Sequence, residues 1–231
     1  MTNILQNEIR KLKNSMLKLV SEVEDNVYLS VTALNDRSIE SACKVIDNDL
    51  KIDNMEVELE EECLKILALY QPVASDLRYI VAILKINNDL ERISDLAVNI
   101  AERAKFLIER KPVKIAFDFL GMALEVQTML RKSITALIKL DIDTAVEVCS
   151  SDDIVDNMHR DMYGIVEAAI RNEPSKVQEI LQYLSASRQL ERIADHATNI
   201  AEDVIYMIKG DIMRHNVKDL SGRCQQPDKH S

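Results

Sequence analysis

The chain has 231 residues and a net charge of −10, with only four Gly and four Pro residues. Aromatic residues make up 4% of it, so hairpin-rich and doubly wound folds, which need turn formers and β-branched or aromatic runs, are disfavoured. The acidic balance also argues against binding to nucleic acid or to anionic lipid, because both need a basic surface. What remains is a composition rich in Leu, Ile, Ala, Glu and Lys, which is typical of long helices.

Hydrophobic spacing predicts three helices in the first half of the chain. The first covers 5–34, where apolar residues recur at alternating intervals of four and three, as in a bundle helix. The second covers 39–70, after the N-cap residue Ser38 and before the helix-breaking Pro72. The third covers 74–109.

The second half repeats this plan. A fourth helix is predicted over 113–140, and a fifth runs from the capping turn 141–144 to Asn172. A sixth ends at Gly210, as expected of a glycine just after the last periodic residue.

These elements predict three parts: a bundle over 1–110, a second bundle over 111–210, and a polar tail over 211–231. No segment approaches the ~20 apolar residues that a membrane span requires, and no signal core is evident. The cysteines (Cys43, Cys63, Cys149 and Cys224) form no Cys-x-x-Cys pair, so we expect free thiols in a cytoplasmic protein.

The strongest signal is an internal repeat. Residues 90–102 (LERISDLAVNIAE) and 190–202 (LERIADHATNIAE) are identical at ten of thirteen positions. A weaker echo joins 49–55 (DLKIDNM) to 152–158 (DDIVDNM). Self-similarity over a long fixed period indicates two copies of one structural unit. The sequence therefore predicts an all-α fold of two tandem three-helix bundles with six long helices.

The repeated helix keeps its polar face as well as its apolar seam. Glu91 and Asp95 are four residues apart, so both lie on one side of the helix, and the second helix carries Asp49 and Asp53 at the same spacing. If the two helices pack antiparallel, these carboxylates face one another and need a counter-cation. Such hard oxygen ligands suit Mg²⁺, Ca²⁺, Mn²⁺ or iron.

Both copies contain these pairs, so the candidate metal ligands number eight. They are Asp49, Asp53, Glu91, Asp95, Asp152, Asp156, Glu191 and Asp195. The same stripe continues through four further candidates, Asn99, Glu102, Asn199 and Glu202.

Other interpretations stay open at this point. Acids four residues apart are common on solvated helix faces, where Lys51, Arg92 and Arg192 could pair with them. A ferritin-like di-iron enzyme is disfavoured, because the chain has no Glu-x-x-His motif and His159 and His196 lack counterparts in the first copy. Nucleotide-binding and hydrolase motifs are also absent from the sequence.

The segments 71–102 and 190–202 resemble the PhoU family of phosphate-signalling proteins. The first copy departs from the family pattern at 94–96, which reads Ser-Asp-Leu where members often have Gly-Asp-His. The second copy lacks a clear counterpart of residues 75–78. The resemblance implies two bundles related by a pseudo-twofold axis, with multinuclear metal clusters on the eight carboxylates. Iron is the implied metal, and Mn, Mg, Ca and Zn are alternatives.

The resemblance also implies a role. Such a protein is a negative regulator of the phosphate-starvation response and is not an enzyme. It acts as an adaptor between the ATPase subunit of a phosphate ABC transporter and a sensor histidine kinase. It would be a homodimer that reaches the membrane only through its partners. Two alternatives remain: a metal store or metal-dependent enzyme unrelated to phosphate, and a metal-free helical scaffold.

Overall fold

A computed structural model describes residues 3–210, which form six α-helices and no strand. The prediction of an all-α fold is therefore confirmed, while the predicted tail, 211–231, lies outside the described residues. A 3₁₀ turn over Pro174–Lys176 precedes the last helix. The helices are α1 (Asn3–Asp36), α2 (Ile39–Tyr70), α3 (Ala74–Ile108), α4 (Phe119–Lys139), α5 (Ile142–Asn172) and α6 (Val177–Lys209).

Three predicted helix ends have the expected capping chemistry. The Ser38 hydroxyl accepts a hydrogen bond from the backbone N–H of Ser41 at 3.2 Å, which satisfies one free donor at the start of α2. Asp141 caps α5 by accepting from the N–H of Thr144 at 3.2 Å. Gly210 ends α6 with φ of 77°, a left-handed conformation that glycine adopts without a steric penalty.

The expected start of the fourth helix at Val113 is wrong, because α4 begins only at Phe119. In the preceding segment Val113, Ile115 and Phe117 are half-buried and the residues between them are exposed. This alternation has the period of an extended chain, and it packs apolar side chains against the core. Asp118 then caps α4, which places the helix boundary after this segment.

Each bundle consists of three consecutive helices, with the middle helix antiparallel to the other two. Asn48 of α2 donates to Asn26 of α1 at 3.0 Å, and Ser94 of α3 donates to Asp49 of α2 at 3.4 Å. Five buried residues of α2 have buried counterparts in α5 at a constant offset of 103 positions. They are Ala42, Val45, Ile52, Leu59 and Cys63, matched by Ala145, Val148, Val155, Met162 and Val166.

The two bundles join where α3 packs antiparallel against α6. Lys85 forms an ion pair with Asp203 at 2.6 Å, and Arg103 donates to Ser185 at 2.6 Å. These contacts are related by the repeat, since Lys85 corresponds to Ser185 and Arg103 to Asp203. The junction therefore has the pseudo-twofold symmetry that the resemblance implies.

One contact breaks this symmetry. His196 Nδ1 lies 2.8 Å from Asp89 Oδ1 across the α3–α6 junction. The equivalent positions hold Leu96 and Gln189, and the buried Gln189 Oε1 makes no hydrogen bond within residues 3–210. A polar link thus exists on one side of the axis only.

Candidate carboxylate clusters

In the first bundle, α2 and α3 bring five acidic side chains near one another. Burial raises the pKa of Asp49, and the negative charges of Asp53 and Asp95 raise it further. Burial also raises the pKa of Glu91, with added effects from Asp95, Glu56 and Asp53. These five residues are called the first cluster below. As predicted, the antiparallel packing of α2 and α3 brings the pair Asp49/Asp53 close to the pair Glu91/Asp95.

Side chains from all three helices hold this cluster in place. The Ser94 hydroxyl donates to Asp49 Oδ1 at 3.4 Å and accepts a hydrogen bond from Asn26 Nδ2 at 3.3 Å. Asn48 closes the network by donating to Asn26. Asp49 is therefore tied to α1 and α3, although only one of its oxygens is used in this way.

The basic residues neutralise the first cluster only in part. Arg92 Nε lies 3.3 Å from Glu91 Oε2, and Arg92 Nη1 lies 3.4 Å from Asp95 Oδ2. The first contact is an ion pair without hydrogen-bond geometry, so the buried Glu91 Oε2 has no hydrogen-bond partner in residues 3–210. Lys51 is bound elsewhere, to Glu22 of α1 at 2.6 Å.

The second bundle repeats the arrangement with α5 and α6. Burial raises the pKa of Asp152 to about 6, with further effects from the charges of Asp195 and Asp156. Burial likewise raises the pKa of Glu191, and the charges of Asp156 and Asp152 raise it further. The pKa of Asp195 is raised by burial and then by the charges of Glu191 and Asp156. These four carboxylates form the second cluster. In Asp152, Glu191 and Asp195 the charges of neighbouring cluster members disfavour the ionised form.

Asp152 also has a buried oxygen without a well-formed hydrogen bond. Its Oδ1 is buried and makes no hydrogen bond of good geometry within the described chain, and the same holds for the buried Thr198 hydroxyl. Thr198 is nevertheless close enough to lower the pKa of Asp152. One buried carboxylate oxygen without a hydrogen bond therefore occurs in each cluster, Glu91 Oε2 in the first and Asp152 Oδ1 in the second.

Two residues, one in the first cluster and one beside the second, were not predicted as part of the sites. Glu56 belongs to the first cluster, and Asn87 donates to its Oε1 at 2.8 Å. His159 stands at the equivalent place in the second bundle, where its Nδ1 lies 2.9 Å from the hydroxyl of Ser187, the counterpart of Asn87. The signal was present in the sequence, since Glu56 follows Asp53 by three residues and therefore shares its side of the helix.

The four further candidates lie apart from these contacts. Asn99 donates to the backbone oxygen of Asp95, Glu102 is exposed beside Arg103, and Asn199 is exposed. Glu202 lies near Cys149, whose pKa its charge raises after the larger effect of burial. Their role as ligands stays a prediction.

The chemistry of both clusters fits a cation of the hard, oxygen-preferring kind. Facing carboxylates, several with raised pKa values, and a buried oxygen without a well-formed hydrogen bond are what a positive ion would stabilise. Within residues 3–210, however, no three His, Cys, Asp or Glu side chains are arranged around one metal-sized site. Side-chain rotation would have to accompany binding, with Asp49, Glu91 and Asp95 or Asp152, Glu191 and Asp195 as the ligands.

No helix among the described residues is both long and apolar enough to cross a membrane. The fold and its clusters define a class of protein: a tandem repeat of three-helix bundles with one acidic site per bundle. The PhoU domain model matches residues 16–104 and again 119–204. The chain belongs to the PhoU family.

Curated relatives match nearly the whole chain. A "phosphate-specific transport system accessory protein PhoU homolog 1" from Thermotoga maritima is 34% identical over 227 residues, covering 96% of this chain and 97% of its own. A PhoU homolog from Pseudomonas aeruginosa is 36% identical over 209 residues, covering 90% and 86%.

Solved structures show the same fold. The crystal structure of PhoU from Pseudomonas aeruginosa superposes with a TM-score of 0.83 at 35% identity, over 89% of this chain and 99% of that one. The phosphate transport system regulatory protein PhoU from Streptococcus pneumoniae gives a TM-score of 0.80 at 26% identity, over 90% and 98%.

Proposed function

We propose that this protein is a regulatory adaptor in phosphate homeostasis. It represses the phosphate-starvation response while phosphate is plentiful, by coupling the ATPase subunit of a phosphate ABC transporter to a sensor histidine kinase. The observation that carries this proposal is the match of both bundles to the PhoU domain, together with near full-length relatives named as accessory proteins of phosphate-specific transport. It acts by binding, as a homodimer in the cytoplasm, and not as an enzyme.

Removing the gene from its organism tests this role. The phosphate regulon, followed with a phosphate-repressed reporter enzyme, should be expressed in high phosphate and return to repression when the gene is restored. Pull-down of the tagged chain should recover the transporter ATPase and the kinase. Unchanged repression in the deletion strain would refute the proposal.

We further propose that the two carboxylate clusters bind metal ions, with iron as the first candidate. The cation would supply positive charge where like charges meet, and it would fix α2 against α3 and α5 against α6. Two buried oxygens without a well-formed hydrogen bond, Glu91 Oε2 and Asp152 Oδ1, support this proposal, as do the raised pKa values of Asp49 and Asp195. The Arg92 contacts are long and partly exposed, so they compensate little of the repulsion.

Elemental analysis of protein purified without chelator tests the metal sites. Glu91→Ala with Asp95→Ala should remove the metal of the first bundle and leave that of the second. Glu58→Ala with Glu62→Ala is the matched control, because these exposed acids are also four residues apart. Equal metal content in both double variants would show that the ligand set is wrong, and no metal in any of them would favour a metal-free adaptor.

A further inference from the structure

Three large apolar side chains lie exposed along one side of α2 at intervals of seven residues. Leu50 is 73% exposed, Val57 50% and Leu64 51%. Seven residues make about two helical turns, so these side chains lie on one line along the helix. A helix that packs in a coiled coil presents two apolar positions in every seven residues, and this stripe supplies one of the two.

The second bundle shows that the fold does not need these apolar residues. The offset of 103 that relates the buried residues of α2 and α5 places Asp153, Arg160 and Glu167 at the three equivalent positions, and all three are exposed. Arg160 donates to Asn157 and Glu167 pairs with Arg171, so both are satisfied within α5. A single exposed apolar residue is ordinary on a protein surface, but three of them aligned on one side of a helix need another explanation.

Acidic residues lie between the apolar ones. Glu60 and Glu61 are exposed and stand one turn from both Val57 and Leu64. The basic Lys51 is turned toward α1, where it pairs with Glu22 at 2.6 Å. This surface, made of Leu50, Val57, Glu60, Glu61 and Leu64, is called the α2 heptad face below.

We infer that the α2 heptad face binds a basic amphipathic helix of a partner protein. Apolar residues seven apart on that helix meet Leu50, Val57 and Leu64, while its Lys or Arg residues meet Glu60 and Glu61. Charge complementarity carries this choice, since an acidic seam selects a basic partner and repels an acidic one. The inference does not depend on the proposed function, and it uses no residue of the predicted metal ligand set.

A second copy of this chain is a poor occupant of the face. In a parallel pair Glu60 and Glu61 would each meet themselves, and in an antiparallel pair centred on Val57 the acidic Glu61 would meet Asp53. Like charges would be brought together in both arrangements. An anionic membrane is disfavoured for the same reason.

The test uses a variant whose substitutions are taken from the equivalent positions of the second bundle. Leu50→Asp, Val57→Arg and Leu64→Glu together install the residues that the second bundle carries at these positions. The probe is a fluorescently labelled synthetic helix of about four heptads, with Leu at each seventh position and Lys on either side of it. Binding is followed by fluorescence anisotropy. The triple substitution should weaken it at least about tenfold, or about 1.4 kcal/mol.

Charge makes this variant informative. It adds two acids and one base, so the protein becomes one unit more negative, and nonspecific attraction of the basic probe would rise. A loss of affinity therefore reports the apolar stripe. Glu60→Lys with Glu61→Lys tests the acidic part separately and should weaken binding more at low salt than at high salt. Glu58→Lys with Glu62→Lys, exposed acids outside the face, serves as the matched control and should bind as the wild type does.

Several results would overturn the inference. They are absence of binding by the wild type, equal affinity of the wild type and the triple variant, and equal affinity for a probe with Glu in place of Lys. A wild-type dimer in sedimentation velocity that the triple variant abolishes would assign the face to a second copy instead. Circular dichroism of each variant verifies helicity, and the Glu60/Glu61 variant keeps the inference testable if the triple variant does not fold.

Discussion

Replacing Asp152 with asparagine changes stability in a direction that the structure determines. Burial and the charges of Asp195 and Asp156 raise the pKa of Asp152 from 3.8 to about 6. The folded protein therefore holds this proton more tightly than the unfolded chain does. The favourable contribution of the protonated form is fully present below pH 3.8 and is lost as the pH rises through about 6. At neutral pH the ionised Asp152 thus destabilises the metal-free fold, and asparagine should stabilise it.

The size of the effect follows from the pKa change. A rise from 3.8 to about 6 corresponds to about 3 kcal/mol at 1.36 kcal/mol for each pKa unit. The side chain is only half-buried, and water screens its charge, so we expect about 1 kcal/mol. For a chain of this length that is an increase in Tm of about 2–4 °C.

Thermal unfolding in EDTA, followed by circular dichroism, measures this change. Asp152→Asn should raise Tm at about pH 7.5, and its gain should be roughly halved at about pH 5, where part of the penalty is gone. Asp161→Asn is the matched control, since it removes an exposed carboxylate from the same helix and should change stability by less than about 0.5 kcal/mol. A lower Tm for Asp152→Asn at neutral pH in the absence of metal would refute the electrostatic reasoning.

Three further outcomes follow from local contacts. Ser38→Ala should reduce the free energy of unfolding in urea by about 1 kcal/mol, because the N-cap of α2 is lost, and a neutral result would show that the cap contributes nothing. Burial raises the pKa of the Cys63 thiol to about 12, so iodoacetamide at about pH 8 should alkylate the half-buried Cys43 at least about a hundredfold faster, as read by mass spectrometry. Asp89→Ala should cost about 1–2 kcal/mol by leaving His196 unpaired, and a double-mutant cycle with His196→Ala that shows no coupling would contradict the contact.

Local signals predicted most of the helices because each signal acts within one helix or one turn. The predicted span of α2, 39–70, coincides with the observed helix, since Ser38 caps one end and Pro72 terminates the other. The segment from Val113 to Asp118 was predicted as helix, although its apolar residues are two apart and so alternate as in an extended chain. Its extended conformation depends on packing against the core, which a helical window does not reveal.

Sequence spacing could predict only those parts of the site that lie on a single helix. The pairs Asp49/Asp53 and Glu91/Asp95 follow from the four-residue interval, and the antiparallel register of α2 and α3 then brings them together. The three-residue interval from Asp53 places Glu56 on the same side of α2, but its approach to Glu91 depends on the register of α2 against α3, which a hydrophobic pattern does not fix. The link between Asp89 and His196 joins residues 107 positions apart and breaks the repeat, so neither spacing nor self-similarity could indicate it.

Comparison of the two bundles separates what the fold requires from what it merely permits. Positions that are buried in both, such as Ile52 and Val155, stay apolar because packing determines them. The facing carboxylates recur in both bundles although their mutual repulsion destabilises each one, so packing cannot account for them. Leu50 represents the opposite case, an exposed apolar residue where the second bundle carries Asp153. Features present twice at an energetic cost point to a function common to both bundles, and features present once point to a function that only one bundle performs.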